Sequence, residues 1–302
     1  MALSPVFDPT HPLGYPELCA ATRQLGKSSR HFQSFSAGKS VLGRRLFVYV
    51  IGSGRPYALY CGTHHALEYM TSMLLVEFTH RLCAHCESGE PLAGIDVRGI
   101  LKNRSVCIVP MLNPDGVELH LGGLKTAGAL ADGLSGMTAD FSGWQANARG
   151  VDLNHNYNAG WNIVHAMEIE SGITGPAPRR YGGPHAESEP ETHALCNLCR
   201  KIPFSRVYAL HSQGEEIYWQ YGERTPKNAE AIAARLAAAS GYALAQPEPI
   251  ASHGGFKDWF IQVFARPAFT VEVGFGCNPL PLTDFPLIYE KIEPMLALGL
   301  TL

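Results

Sequence analysis

Short apolar runs, separated by glycine and polar turns, recur along the chain and fall into two periods. Runs rich in β-branched and aromatic residues at Leu46 to Val50, Tyr57 to Cys61, Ser105 to Val109, Val207 to Leu210, Glu216 to Trp219 and Ala268 to Val273 predict strands. Longer stretches with apolar residues at helical spacing predict helices beginning near Pro16, Ala66, Glu189, Pro226, Lys257 and Pro286. Strands alternating with helices imply an α/β fold, here a mixed parallel and antiparallel sheet with helices on both faces. Ser188 with Glu191 three residues on predicts a capping box, and Thr225-Pro226 with Gly241 bracket an Ala-rich helix.

At 302 residues and 46% apolar content, the chain has enough core-forming surface for one large domain, 1–302. Residues 1–37 are expected to form an N-terminal helical segment packed on that domain. The longest Gly- and Pro-rich stretch, Gly172 to Pro190, lies between apolar blocks and reads as an active-site loop, not a boundary. A net charge of −3 with 17% charged residues gives no basic stripe, so nucleic acid is not an expected partner. Met1 to Tyr15 lacks the basic start and apolar run of a signal peptide, and no long apolar segment follows. The expectation is a cytoplasmic protein without membrane contact; the pattern leaves oligomeric state open.

Candidate chemistry sits where predicted strands end. His65 and Glu68 form an H-x-x-E pair just after the Tyr57 to Cys61 strand, His211 follows Val207 to Leu210, and Glu272 follows Ala268 to Val271. His and Glu three apart on one helical face can share a metal, and a distant His completes three ligands with one position open to water. That is the donor set of a catalytic zinc, one per chain. A further carboxylate, Glu272, would then have an acidified water to deprotonate. The eight cysteines include two C-x-x-C pairs, Cys83/Cys86 and Cys196/Cys199. Each lies in a helical pattern that lacks the knuckle turn of a zinc ribbon, so buried thiols are expected and no structural zinc.

Ordered blocks extend these residues: Gly62-Thr63-His64-His65-Ala66-Leu67-Glu68, Asn113-Pro114-Asp115-Gly116, Gly150 to Tyr157, Ser188-Glu189-Pro190-Glu191, His211-Ser212-Gln213-Gly214, Gly254 to Trp259 and Phe269 to Gly274. In that order the chain resembles the zinc carboxypeptidase family, and within it the bacterial γ-D-glutamyl-diamino acid peptidases that act on murein peptides. The resemblance implies His65, Glu68 and His211 as zinc ligands, Glu272 as the residue that activates water, and Asp152 as the carboxylate that orients His65. It also implies Asn154 as half of an Asn-Arg pair that grips a substrate carboxylate.

The same blocks depart from the family at three places. Where the family carries that Arg, this chain has His155, and a neutral imidazole cannot reproduce a guanidinium fork. Arg149, Arg179 and Arg180 are candidate replacements. Where the family has a carbonyl-polarising Arg after a Trp, this chain reads Trp144-Gln145, leaving Gln145 or Arg149 for that task. Where the family places a mobile Tyr before the Gly-Gly, none stands here, and His253 is the nearest substitute. The substrate expected is a small murein peptide cleaved at a γ-D-glutamyl-diamino acid amide. A zinc carboxypeptidase or N-acyl amino acid amidohydrolase on the same scaffold stays open, as does a non-catalytic peptide-binding protein.

Overall fold

The computed structural model describes residues 5–302. Eight strands form one sheet: β1 (Phe32–Lys39), β2 (Arg45–Gly52), β3 (Arg55–Gly62), β4 (Arg104–Val109), β5 (Arg206–His211), β6 (Glu216–Tyr218), β7 (Ala243–Leu244) and β8 (Ala268–Glu272), in the order β1-β2-β4-β3-β5-β8-β6-β7. The centre, β4-β3-β5-β8, is parallel, while β1, β2 and β6 add antiparallel pairings towards the edges. Every central strand therefore ends at the same edge, the place where α/β folds gather chemistry.

Strand periodicity explains the two-sided core. Tyr60, Tyr208 and Phe269 face one cluster with the helices Tyr15–Ser28, Met70–Ser88, Ala229–Ser240 and Phe285–Gly299, while Leu59, Cys61, Val207 and Ala209 face the other with Pro190–Lys201 and Phe256–Phe264. On the first face Tyr60 stacks on Tyr208 at 4.6 Å and Tyr208 on Phe269 at 5.4 Å. The Tyr60 hydroxyl donates to the Leu296 carbonyl at 2.7 Å and that of Tyr208 to Gly299 at 3.2 Å, which fixes the last helix on the sheet. Among the described residues no helix is long and apolar enough to cross a membrane.

The structure corrects several of the expected elements. The N-terminal segment is helical only over Tyr15–Ser28; Phe32–Lys39 is an edge strand, and Met1–Ser4 lie outside the described residues. After His65 the chain makes a 3-10 turn, Ala66–Glu68, before the α-helix Met70–Ser88 begins. The Ala-rich helix starts at Ala229 and not at Pro226, because the Thr225 side chain closes a turn, accepting from Tyr221 N–H and donating to the Gly222 carbonyl. Gly241 does end it, at φ +77°.

The capping box does not form. Glu189 takes the cap position of Pro190–Lys201, Ser188 Oγ donates to Glu189 and accepts from Asn156, and Glu191 instead accepts from Val41 N–H at 3.0 Å. The two C-x-x-C pairs belong to opposite faces of the sheet, as buried thiols in separate clusters. Burial pushes the Cys83 thiol up to about 12 and Cys86 to about 11, which disfavours the thiolate a metal needs.

Candidate active site

Three strand ends converge. Gly62 ends β3 and leads through Thr63 and His64 to His65, His211 is the last residue of β5, and Glu272 is the last of β8, directly opposite His211 in the register. Glu68 returns to the same point because the 3-10 turn Ala66–Glu68 brings its side chain back over His65. His65 Nδ1 lies 2.9 Å from Glu68 Oε1, and His211 Nδ1 lies 3.2 Å from Glu68 Oε2. Among the described residues His65, Glu68 and His211 are the group whose donor atoms, within 4.8 Å of one another, could hold a metal.

The donor chemistry fits a divalent cation. His65 Nε2 is 3.0 Å from Asp152 Oδ1, so the Nε2 proton has a carboxylate acceptor and Nδ1 is left to face a second carboxylate. Two lone-pair atoms approach that closely only with a positive charge between them, either a proton or a metal. Burial opposes protonation of His65, but the Asp152 and Glu68 carboxylates outweigh it and hold the imidazole well above its ordinary range. Burial, with the Glu68 carboxylate beside it, pushes Glu272 well above the carboxylate range.

Asp152 is itself fully engaged. Its Oδ1 also accepts from Asn154 N–H at 3.0 Å, and its Oδ2 from Arg180 N–H at 3.0 Å. The loop after Trp161–Glu170 thereby braces the ligand sphere: Pro178 also accepts from the backbone N–H groups of Gln145 and Ala146, at 2.9 and 3.0 Å. His64 stacks on His211 at 5.2 Å and meets the Tyr157 hydroxyl through Nε2 at 3.0 Å.

The cleft above these residues has a volume of about 450 Å³. Gln145, Asp152, Asn154, His155, Arg180 and Glu272 line it with the metal group. Asn154 Oδ1 accepts from Phe256 N–H at 3.1 Å, which leaves its amide N–H groups for a ligand. Arg149, Arg179 and His253 do not line it. Arg149 is half exposed and leans towards Glu189 at 3.7 Å; His253 Nδ1 is turned to the Tyr221 hydroxyl at 3.2 Å; Arg179 is exposed.

Sequence reasoning passed over four titratable cleft groups. Lys257 and Asp258 line the wall as a buried ion pair, with Lys257 Nζ donating to the Gln220 carbonyl at 2.8 Å. Tyr218 and Glu248 also face the cleft, the Tyr218 hydroxyl donating to Glu216 Oε2 at 2.8 Å. The available signal was the Lys257-Asp258 pair in the first turn after Gly254-Gly255: two adjacent opposite charges inside an otherwise aromatic block, Phe256 and Trp259 to Phe260.

A profile described as zinc carboxypeptidase matches residues 19–295. The chain is 34% identical over 286 residues to the Gamma-D-glutamyl-L-diamino acid endopeptidase 1 of Lysinibacillus sphaericus, an alignment spanning 93% of this chain and 70% of that protein. Bovine thrombin-activatable fibrinolysis inhibitor, solved with tick carboxypeptidase inhibitor, superposes with a TM-score of 0.76 at 18% identity over 97% of both chains. The murein-tripeptide amidase of Escherichia coli O157 superposes with a TM-score of 0.55 at 22% identity, over 89% of this chain and 92% of that one. At those identities the two structures speak to the fold alone.

Proposed function

This chain belongs to the zinc carboxypeptidase family and is a zinc metallopeptidase, and from that premise we propose that it hydrolyses the amide between a γ-D-glutamyl group and a diamino acid in murein-derived peptides. The observation that carries the substrate reading is the Lys257–Asp258 pair on the cleft wall. A diaminopimelate side chain ends in an ammonium and a carboxylate on one carbon, and a wall presenting both charges side by side matches that end as no single charge would. The named activity of the Lysinibacillus sphaericus relative supports the γ-D-glutamyl half.

His65, Glu68 and His211 would hold the zinc. Bound there, zinc supplies Lewis acidity, polarising the scissile carbonyl and acidifying water. Glu272, at the end of β8 and facing the same point, accepts the proton from the attacking water and delivers it to the departing amine. Asp152 keeps His65 in one tautomer and orientation. Gln145 donates an amide hydrogen bond towards the carbonyl oxygen, and Asn154 with Arg180 positions the acidic groups of the substrate.

Substrate comparison tests the reading. The purified zinc-loaded protein is expected to cleave L-Ala-γ-D-Glu-meso-diaminopimelate with kcat/KM at least about a hundredfold above that for hippuryl-phenylalanine. Lys257→Met should remove about tenfold or more of the preference for diaminopimelate over lysine at that position, since one buried charged contact is lost. Equal or greater turnover of hippuryl-phenylalanine would replace this reading with an ordinary carboxypeptidase.

A further inference from the structure

Behind His155, on the side away from the cleft, lies a carboxylate with no motif around it. Glu168 belongs to the helix Trp161–Glu170 and has no exposed surface. Its Oε1 is 2.8 Å from His155 Nδ1, and the same nitrogen is 3.0 Å from the Arg180 carbonyl oxygen. Both neighbours are acceptors, so Nδ1 carries a proton. Glu168 Oε2 accepts from Gly182 N–H at 3.1 Å and meets His165 Nδ1 at 3.2 Å.

A buried carboxylate is costly unless a cation stands within bonding distance. The side chains in reach here are two imidazoles. His155 is the nearer and the more buried, its side chain 10% exposed; the His165 side chain is 28% exposed and stacks on Trp161 at 4.6 Å. His155 also feels Asp152 from the ligand-bracing segment, while His65 opposes with like charge. Burial works against the charged ring, yet the two carboxylates outweigh it and raise His155 above the ordinary imidazole range.

With Nδ1 committed to Glu168 and Arg180, Nε2 is the atom that His155, a cleft-lining residue, has left for a ligand. In a neutral ring Nε2 bears a lone pair and repels a carboxylate; in an imidazolium it is a donor. We propose that Glu168 is a positioning residue for substrate recognition, fixing the ring and the positive charge of His155 so that Nε2–H receives a substrate carboxylate where relatives use a guanidinium. The pair Glu168–His155 thus stands in for one permanently charged side chain. This rests on the proposed function, in which the substrate carries a carboxylate beside the scissile amide.

Two measurements test it independently. Zinc-loaded protein with 13C-labelled histidine, the His155 signal identified by its loss in His155→Gln, is titrated by NMR. Wild-type His155 is expected to stay charged through neutral pH, and Glu168→Gln to lower its midpoint by about one pH unit or more, which is about tenfold in the protonation equilibrium constant. In kinetics on the γ-D-glutamyl tripeptide, Glu168→Gln should raise KM about tenfold or more with kcat within about threefold, and the difference should vanish for a substrate whose neighbouring carboxylate is a carboxamide. If wild type leaves the tripeptide uncut, the substrate reading has failed and glutarate replaces it as the probe: its shift of the His155 signal should weaken about tenfold in Glu168→Gln. A His155 that is neutral at pH 7 in the wild type overturns the proposal even if Glu168→Gln does not fold, and so does a KM penalty that persists with the carboxamide substrate.

Discussion

Glu191 is buried beside Asp115 and the Asn147 amide, accepts from Val41 N–H, and is pushed up to about 8 by that burial. Its carboxyl is neutral in the fold where an unfolded chain would ionise it. The folded state therefore binds the extra proton between the ordinary carboxylate value and about 8, and stability falls as pH rises through that window. The full effect is on the order of 5 kcal/mol, at about 1.4 kcal/mol for each tenfold change in proton affinity. Glu191→Gln keeps an acceptor for Val41 without the titration. It should melt above wild type at pH 8.5, with the gap shrinking as pH falls to 5; a gap constant with pH would contradict the assignment. The same Ser188 to Glu191 block fits a capping box by spacing alone, and the discrepancy is physical. Pro190 has no N–H to be capped, and Asn156 claims the Ser188 hydroxyl.

At the scale of elements, the strand ends were legible and the sheet edges were not. His65, His211 and Glu272 each follow a run of apolar β-formers, so period and position together point to one edge of a parallel sheet. β1 escapes such reading because Gln33-Ser34-Phe35-Ser36 lies at an exposed edge and carries little alternation, and β7 is two exposed residues paired with β6. Glu168 stands thirteen residues beyond His155 on another helix, and only the folded loop brings them together. The last helix offers a test of element packing. A methyl group added at Gly299 would sit 2.3 Å from the Tyr60 hydroxyl and 3.0 Å from the Tyr208 ring. Gly299→Ala should cost about 1 to 3 kcal/mol through overpacking and lower Tm by several degrees, where an ordinary helical Gly→Ala stabilises.

Across the whole molecule, the division of labour follows the sheet. Both faces are covered by helices and closed by apolar clusters, so the open surface available for chemistry is the edge where β3, β5 and β8 end. The loop between Glu170 and Pro190 then completes the cleft, bonding to Asp152 and to the Gln145 backbone while presenting Arg180. A metal held by His65, Glu68 and His211 would bind the folded chain and not the unfolded one, in which the three donors are far apart, so chelation should lower Tm as well as abolish hydrolysis, and stoichiometric zinc should restore both. Activity that survives full removal of zinc would sink the metal assignment.

The most direct measurement combines metal content by mass spectrometry with product analysis on L-Ala-γ-D-Glu-meso-diaminopimelate, for wild type and Glu272→Gln. The expected result is one zinc per chain in both proteins, release of free diaminopimelate by wild type, and a rate lower by about a thousandfold or more in Glu272→Gln, within the range of a lost general base. Zinc bound in wild type with the γ-D-glutamyl amide left intact would contradict the proposed function.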